Sequence, residues 1–535
     1  RDHPQVVCTG PQDELPPLKH IVAFAARVRH VLARDEKGDL WVWGHNGFGQ
    51  LGIDDRTDQS IAVPMPESAG NTVEPPVESV PGPAAETWKR ELHFALPQDA
   101  RTFDVRNFDA FGDGAHLDMP AIQAAVNAAH EAGGGIVMLP PGTYRTGSIE
   151  LKSGVNLHLQ KGAVLLGSTN RNHYPFPGLI YADGAHDIAI TGPGVIDGQG
   201  QAFPSRGWRV QIFYLNECTG VNVCDVTTQN SGSWTQHYIR CRNLNIRGAT
   251  VNSPRPGRNN DGIDLSGCED VLIEQCLVIS DDDGIVIKSQ ALDRANRDYR
   301  VLDNCVLTYR GAFKLGTETR GPYSNLVVRK LRGAGAKALE LYSVDGTEME
   351  NIDIEDVRID DAISAIQIRL GGRLRPSYFQ PGEKQSPGYL RNVRIKDVHV
   401  TLANKSFREV LRDRGIENAG AANGYQSSPR PCFISGLPEH PVEDVVIEDV
   451  TIRKPGSMDK APAVSAVPEK RESYPASYMF GRLPAWGFFM RHADGVTLRD
   501  IRLELLSPDS RPPLADDDVR NLRTEDVMVR KLYEE

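Results

Sequence analysis

The chain has 535 residues, 40% of them hydrophobic and 24% charged, with a formal net charge of -11. That balance argues against a nucleic-acid partner and leaves no basic patch for a membrane surface. No apolar run reaches the ~18 residues that a membrane span needs. Eight cysteines without a CxxC pair give neither a zinc site nor a disulfide framework, and read as small buried hydrophobes. A prior of ~150 residues per domain suggests three or four domains, unless repeats lengthen one of them.

The first element falls within residues 1–70. Here HVLARDEKGDLWVWGHNGFGQLG, from His30, resembles one repeat of the regulator-of-chromosome-condensation propeller type. A propeller needs several blades, and only one is visible. A small accessory module is therefore expected, with Trp41, Trp43 and Phe48 as its core or as a binding surface. The proline-rich TVEPPVESVPGPAAET, from Thr72, predicts a linker over 71–92. The main domain is expected to fill 93–535. Near its start, DMPAIQAAVNAAHEAGGG predicts an amphipathic helix with Asp118 as N-cap and a glycine stop. Such a helix would cover unpaired strand edges at the open end of the next element.

That element is repetitive. A small or polar residue followed by alternating apolar residues recurs from Gly220, Asn243, Asp270, Tyr299, Asn325, Asn351, Asn392, Asp444 and Gly495. The spacings are 23, 27, 29, 26, 26, 41, 52 and 51 residues. Strand alternation at such a period predicts a solenoid of β rungs, in which stacking buries what one rung cannot. The fold class is all-β, a right-handed parallel β-helix. The longer late spacings imply insertions. Cys276 and Cys305 close consecutive phrases and are expected to stack inside.

A second strand follows in each rung, read from Asp261, Asp283, Gly311, Lys337 and Ser364. Alternation assigns its faces. Ile263, Ile285, Phe313, Leu339 and Ile366 form one inward column; Leu265, Ile287, Leu315, Leu341 and Ile368 form the other. The outward columns are Asp264, Val286, Lys314, Glu340, Gln367 and Ser266, Lys288, Gly316, Tyr342, Arg369. They are polar and mixed in sign, as a solvated face would also be. Just ahead of the strands, Asp261 and Asp283 occupy one place on adjacent rungs, which stack ~4.8 Å apart. Asp282 precedes Asp283, and three carboxylates converge. They cannot all ionise near neutral pH, so one pKa is pushed up. One protonated and one ionised carboxyl suit acid–base hydrolysis of a glycosidic bond. A calcium site or a turn-capping cluster is the plainer alternative.

Several motifs together resemble glycoside hydrolase family 28, the polygalacturonase-like β-helix hydrolases. NNDGIDLSGC, from Asn259, is similar to the family's Asn-Thr-Asp motif, and SDDDGIVIKS, from Ser280, to its Asp-Asp motif. SGSWTQH, from Ser231, resembles its Ser-Pro-x-Trp-x-x-His stretch, and the likeness runs from about Phe103 to the C-terminus. The resemblance implies that Asp282 is the general acid. It implies that Asp261 and Asp283 position and deprotonate the water, and that the reaction inverts the anomeric centre. Asn260, His237, Asp264, Lys288, Lys314, Glu318, Glu340, Tyr342 and Arg369 are then the candidate substrate-binding residues. Asp281 stands where the family has glycine and has no assigned role. No metal or organic cofactor is implied. The partner is a polysaccharide or oligosaccharide, and a secreted or periplasmic location is expected, although no secretory segment is visible.

Two departures bear on the substrate. Gly311 stands in place of the histidine of the family's Gly-His-Gly motif, which leaves tuning of the acid to Lys314 or Arg310. Glu340–Tyr342 stand where the family has Arg-Ile-Lys, which grips a uronate. A carboxylate beside Glu340 is repelled, unless Lys288, Lys314, Arg320 and Arg369 rebuild an anion site. A rhamnose-, galactose- or other-sugar-cleaving enzyme is therefore expected rather than an ordinary endo-polygalacturonase. Insertions from Arg373 and Tyr474 are placed to wall one end of the cleft, which favours attack from a chain end. A β-helix polysaccharide lyase using Lys288 or Lys314 as base, or a non-catalytic sugar-binding β-helix, are the alternatives.

Overall fold

The computed structural model describes residues 100–535 except 204–208, 256–258, 417–418, 427, 459, 477 and 535, together with the backbone of four strands between residues 21 and 64. The chain divides into two units, Arg1–Val80 and Pro81–Glu535. In the first, strands Ile21–Arg27, His30–Asp35, Leu40–Gly44 and Gln59–Pro64 pair antiparallel in sequence order. The aromatic side chains of that module and the linker at 71–92 lie outside the described residues, as do 93–99 at the start of the expected main domain.

The second unit is a solenoid whose rungs pair in parallel. Each early rung contributes three strands, one to each of three strips. In one rung these are Arg242–Arg247, Thr250–Ser253 and Ile263–Ser266, and in the next Glu269–Glu274, Leu277–Ser280 and Ile285–Ser289. Parallel crossovers of this kind are right-handed. The small or polar residue that opens each phrase now has a reason. Gly220, Asn243, Asp270, Asp298, Asn325, Asn351, Asn392, Asp444 and Gly495 all have positive φ. Each turns a corner in the left-handed conformation that only Gly, Asn and Asp adopt readily.

That corner also corrects one phrase. Asp298, not Tyr299, turns it, so Tyr299 pairs with Val271 and the alignment shifts by one. Cys305 then pairs with Leu277 rather than Cys276. Cys276 stays in the core, whereas Cys305 points outward under a helix at Phe407–Asp413, beside Phe407 and Val410. The described cysteines are all free; five are buried and two, Cys224 and Cys305, are half-buried.

The helix at Met119–Glu131 buries Ile122, Ala125, Val126 and Ala129 against the first rungs. Asp118 holds its N-cap position without capping it. The Asp118 carboxylate instead accepts from the amides of Phe111 and Gly112. Both inward columns from Ile263 to Ile366 and from Leu265 to Ile368 are fully buried. Each such side chain contributes roughly 1.5–3 kcal/mol by leaving water.

The outward face of this third strip is not a solvated surface. Asp264, Lys288, Lys314, Glu340, Tyr342, Gln367 and Arg369 are all buried. Farther along, Phe433 and Phe489 continue the outward column and pack with Phe480, Leu483 and Met479 from the late insertion. No described helix is long and apolar enough to cross a membrane.

Candidate active site

Register brings the aspartates together. Ile263 pairs with Ile285, which sets Asp261 beside Asp283, and the Gly262 amide donates to the Asp283 carbonyl at 2.8 Å. With Asp282 they line a cavity of 370 Å³ on the third strip. Asp282 is half-buried, between the buried Asp281 and Asp283. Its Oδ1 accepts the Asp283 amide at 3.1 Å, and its Oδ2 accepts Asn259 Nδ2 at 3.1 Å. Asn259 Oδ1 accepts from Arg209 at 2.9 Å, which steadies the amide. Ser280 and Thr308 hydroxyls hold the Asp282 backbone carbonyl from behind.

Two lysines balance the buried carboxylates. Lys288 Nζ donates to Asp261 at 3.0 Å and also to Asp264; Lys314 Nζ donates to Asp283 at 2.7 Å. Burial opposes the ammonium of Lys288, but the Asp261 and Asp264 charges outweigh it and raise its pKa. Lys314 is likewise raised, burial being outweighed by Asp283. Burial also presses on Asp283, yet Lys314 and Lys288 hold its carboxyl below the ordinary value. Asp261 differs: burial and the neighbouring Asp264 push it well up, against the pull of Lys288. Asp264 is raised to about 7 by burial, despite Lys288. One lysine serves two carboxylates, which favours the protonated form of the Asp261–Asp264 pair. The expected pushed-up carboxyl is thus found on Asp261. Asp261 Oδ1 is buried without a protein hydrogen-bond partner.

At Gly311 the fold leaves no room for a side chain. A β-carbon there would lie 2.8 Å from Glu340 Oε2 and 3.3 Å from Asp283 Oδ1. The Gly311 amide donates to Asp283 Oδ1 at 3.2 Å instead. Glu340 occupies the vacated space from below. It is fully buried, bonded by Lys337 at 2.8 Å and the Tyr342 hydroxyl at 2.7 Å. Arg310 is raised, burial being outweighed by Asp282 and its neighbours.

Among the expected binding residues, Lys288, Lys314 and Glu318 line the cavity with the three aspartates. Asn260 lies behind it, donating to the Ser231 carbonyl at 2.7 Å. Asp264, Glu340 and Tyr342 form the buried layer beneath. Arg369 is turned away, held by Ser435 and the Gly436, Glu469 and Lys470 carbonyls. Arg320 pairs with Glu383. His237 lines a second, neighbouring cavity. The sequence reading did not single out Arg209, Gln211, Ser233, Trp234, Asn259, Thr317, Arg375 and Tyr474, which with Gly316 complete the lining. Ser233 and Trp234 stood in the SGSWTQH motif, and Arg375 and Tyr474 in the two insertions. Trp234 carries the Lys288 ammonium 3.9 Å above its ring, and the Tyr474 hydroxyl meets Lys314 Nζ at 3.4 Å. Among the described residues no group of three or more His, Cys, Asp or Glu side chains is arranged to hold a metal ion.

Parallel rungs with crowded, lysine-balanced carboxylates in a cleft define a parallel β-helix with an acidic, lysine-paired site. Residues 136–296 match the family model described as Glycosyl hydrolases family 28. A Vitis vinifera protein named "Probable polygalacturonase" is 26% identical over 422 residues, 69% of this chain and 77% of the relative. An endo-polygalacturonase of Pectobacterium parmentieri is 24% identical over 334 residues, 53% of this chain and 82% of its own. The family 28 exopolygalacturonase of Yersinia enterocolitica is similar in fold, with a TM-score of 0.60 over 92% of this chain and 82% of that one, at 16% identity. Residues 136–296 thus carry a likeness to glycosyl hydrolase family 28, and the chain is a glycosidase.

Proposed function

We propose that the chain hydrolyses a pectin-like polysaccharide outside the cytoplasm, attacking from a chain end with inversion at the anomeric carbon. The relatives' names supply the polymer class. Asp282 donates its proton to the leaving oxygen as the glycosidic bond breaks. A water held at Asp261 Oδ1 and Asp283 attacks the anomeric carbon and gives its proton to Asp283, the carboxylate kept ionised by Lys314. The single observation that carries this is the convergence of three carboxyls on one cavity in different surroundings: Asp282 half-buried and bonded by Asn259, Asp283 ion-paired with Lys314 at 2.7 Å, and Asp261 sharing Lys288 with Asp264. Environments that push paired carboxyls apart mark acid–base sites.

Two further observations support the finer reading. Lys288, Lys314, Arg320 and Arg369, the cations offered as a replacement uronate clamp, are each engaged by the protein. This favours a neutral sugar at the cleaved position. Tyr474 and Arg375, from the two insertions, close one side of the cavity, which favours attack at a chain end. The lyase alternative needs a neutral lysine as base, whereas the carboxylates paired with both lysines raise their pKa and disfavour that form.

The test is a screen of defined pectic oligosaccharides with product anomers followed by NMR, using the wild-type chain and Asp282→Asn. Release of the inverted anomer from the end of the chain, lost in the variant, is expected. Retention of configuration, or early release of mid-sized oligomers, would overturn inversion or end attack respectively.

A further inference from the structure

The file of Asp261 and Asp283 runs on past the aspartate cavity. Ile285 pairs with Phe313, and Gly311 pairs with Lys337, so the next members of that file are Gly311 and then Lys337. A buried cation therefore stands two rungs beyond Asp283, with only a glycine between them. Nothing at position 311 blocks its flexible four-carbon stem. Yet Lys337 turns along its own strand and donates to Glu340 Oε1 at 2.8 Å.

Glu340 is fully buried. The same Oε1 accepts the Tyr342 hydroxyl at 2.7 Å, and Gln367, next in the column, meets that hydroxyl at 2.5 Å. Glu340 Oε2 is buried and accepts no hydrogen bond from a described residue. It faces the bare position instead: a β-carbon at Gly311 would lie 2.8 Å from it and 3.3 Å from Asp283 Oδ1. Two carboxylates thus oppose each other across a missing side chain. Lys314 pairs with Glu340 in register and bonds Asp283 at 2.7 Å.

The charges around Asp283 then divide in two. Lys314, Lys288, Lys337 and Arg310 favour its ionised form. Asp261, Asp264 and Asp282 on the two aspartate rungs oppose it, and Glu340 opposes it from the rungs beyond. The Tyr342 and Tyr474 hydroxyls complete the surroundings. Excess positive charge would leave Asp283 ionised but a weak base, and a general base works best when its pKa is near the working pH. Glu340 supplies a like charge and withdraws one of the cations.

We propose that Glu340 is a positioning residue for hydrolysis: it holds Lys337 off Asp283 and faces Asp283 across Gly311, which keeps that carboxylate basic enough to take a proton from the attacking water. This rests on Asp283 being the base. Glu340 touches neither substrate nor water in this role.

Two single variants shift the charge in opposite directions. Glu340→Gln keeps the shape and removes the like charge, so the Asp283 carboxyl is expected to titrate about one pH unit lower. Lys337→Met removes the cation, and the midpoint is expected to rise. The two changes together are expected to return it toward the wild-type value. Carbon-13 NMR of protein labelled at its aspartate carboxyls reads the midpoint, the Asp283 signal being identified by its loss in Asp283→Asn. On a pectic oligosaccharide that the wild-type chain cleaves, the acid limb of kcat is expected to move with the midpoint. Plateau kcat in Glu340→Gln is expected to fall about tenfold with KM nearly unchanged. A packing defect would lower kcat at every pH and leave the midpoint in place. A midpoint that stays put in both single variants, or moves the same way in both, overturns the proposal. So do single variants that unfold while the double variant folds. An active Asp283→Asn chain, or a kcat limb that ignores a moving midpoint, defeats the reading of Asp283 as base whatever Glu340 does to its charge. Fixed midpoints with an inactive Asp283→Asn chain defeat only the role of Glu340.

Discussion

One outward column runs along the third strip from Glu150 to Ala515, and its two ends are built differently. Between Glu150 and Asp264 the column is aromatic and, at Tyr181 and Tyr214, half-exposed. After Gln367 it is Phe433 and Phe489, fully covered by the late insertion. The backbone ladder is the same at both ends. What differs is whether a distant segment folds over it. A regular solenoid thereby acquires a cleft with one open end and one closed end, with the carboxylates at the junction.

The comparison breaks most sharply at the junction itself. Asp282→Asn is expected to lower kcat by about 10²–10⁴-fold, with unchanged circular dichroism; full activity in a folded variant would remove Asp282 from the chemistry. The closed end answers to packing. Phe433→Ala is expected to cost about 3–5 kcal/mol in urea unfolding, because its ring has no solvent to fall back on. Between the ends, the buried Asp264 makes stability depend on pH. Its folded pKa of about 7 lies above its unfolded value, so the folded state holds the extra proton. Stability falls as pH rises from about 4 to about 7, by at most about 1.4 kcal/mol per unit. Asp264→Asn flattens that slope; a wild-type curve that rises through this window contradicts the assignment. Tyr474→Ala opens the closed side, and early products from a polymer are expected to lengthen. At the open end Tyr181→Ala is expected to change stability by less than about 1 kcal/mol, and to appear instead as a three- to tenfold higher KM for long substrates only.

Much of this was legible in the sequence. The period, both inward columns and the convergence of Asp261, Asp282 and Asp283 follow from alternation and spacing. Alternation also turned Glu340, Tyr342 and Arg369 outward, and outward they are. It is silent on whether something covers them, because the covering residues lie in insertions about a hundred positions later. For the same reason Arg375 and Tyr474 escaped notice as cavity residues. Cys305 was misplaced by one step because its phrase opens at Asp298, and only the corner conformation shows where a rung begins. Gly311 was recognised as a departure, but its cause is spatial: Glu340 already fills the volume a side chain there would need.

The left-handed corners at Asn243, Asn325, Asn351 and their counterparts have a consequence for how the chain assembles. Each bend is written in its own rung, so each rung forms its turn from nearby residues and then docks on its neighbour. Stability in such an array is a sum of local and nearest-neighbour contributions. Local opening is expected first where packing is thinnest among the described residues, around the exposed Met528, Val529 and Leu532. The aspartates, placed some 250 residues upstream, belong to rungs with neighbours on both sides. Amide exchange is expected to slow steadily from these residues inward, leaving the aspartate cavity intact while the thinly packed rungs fray.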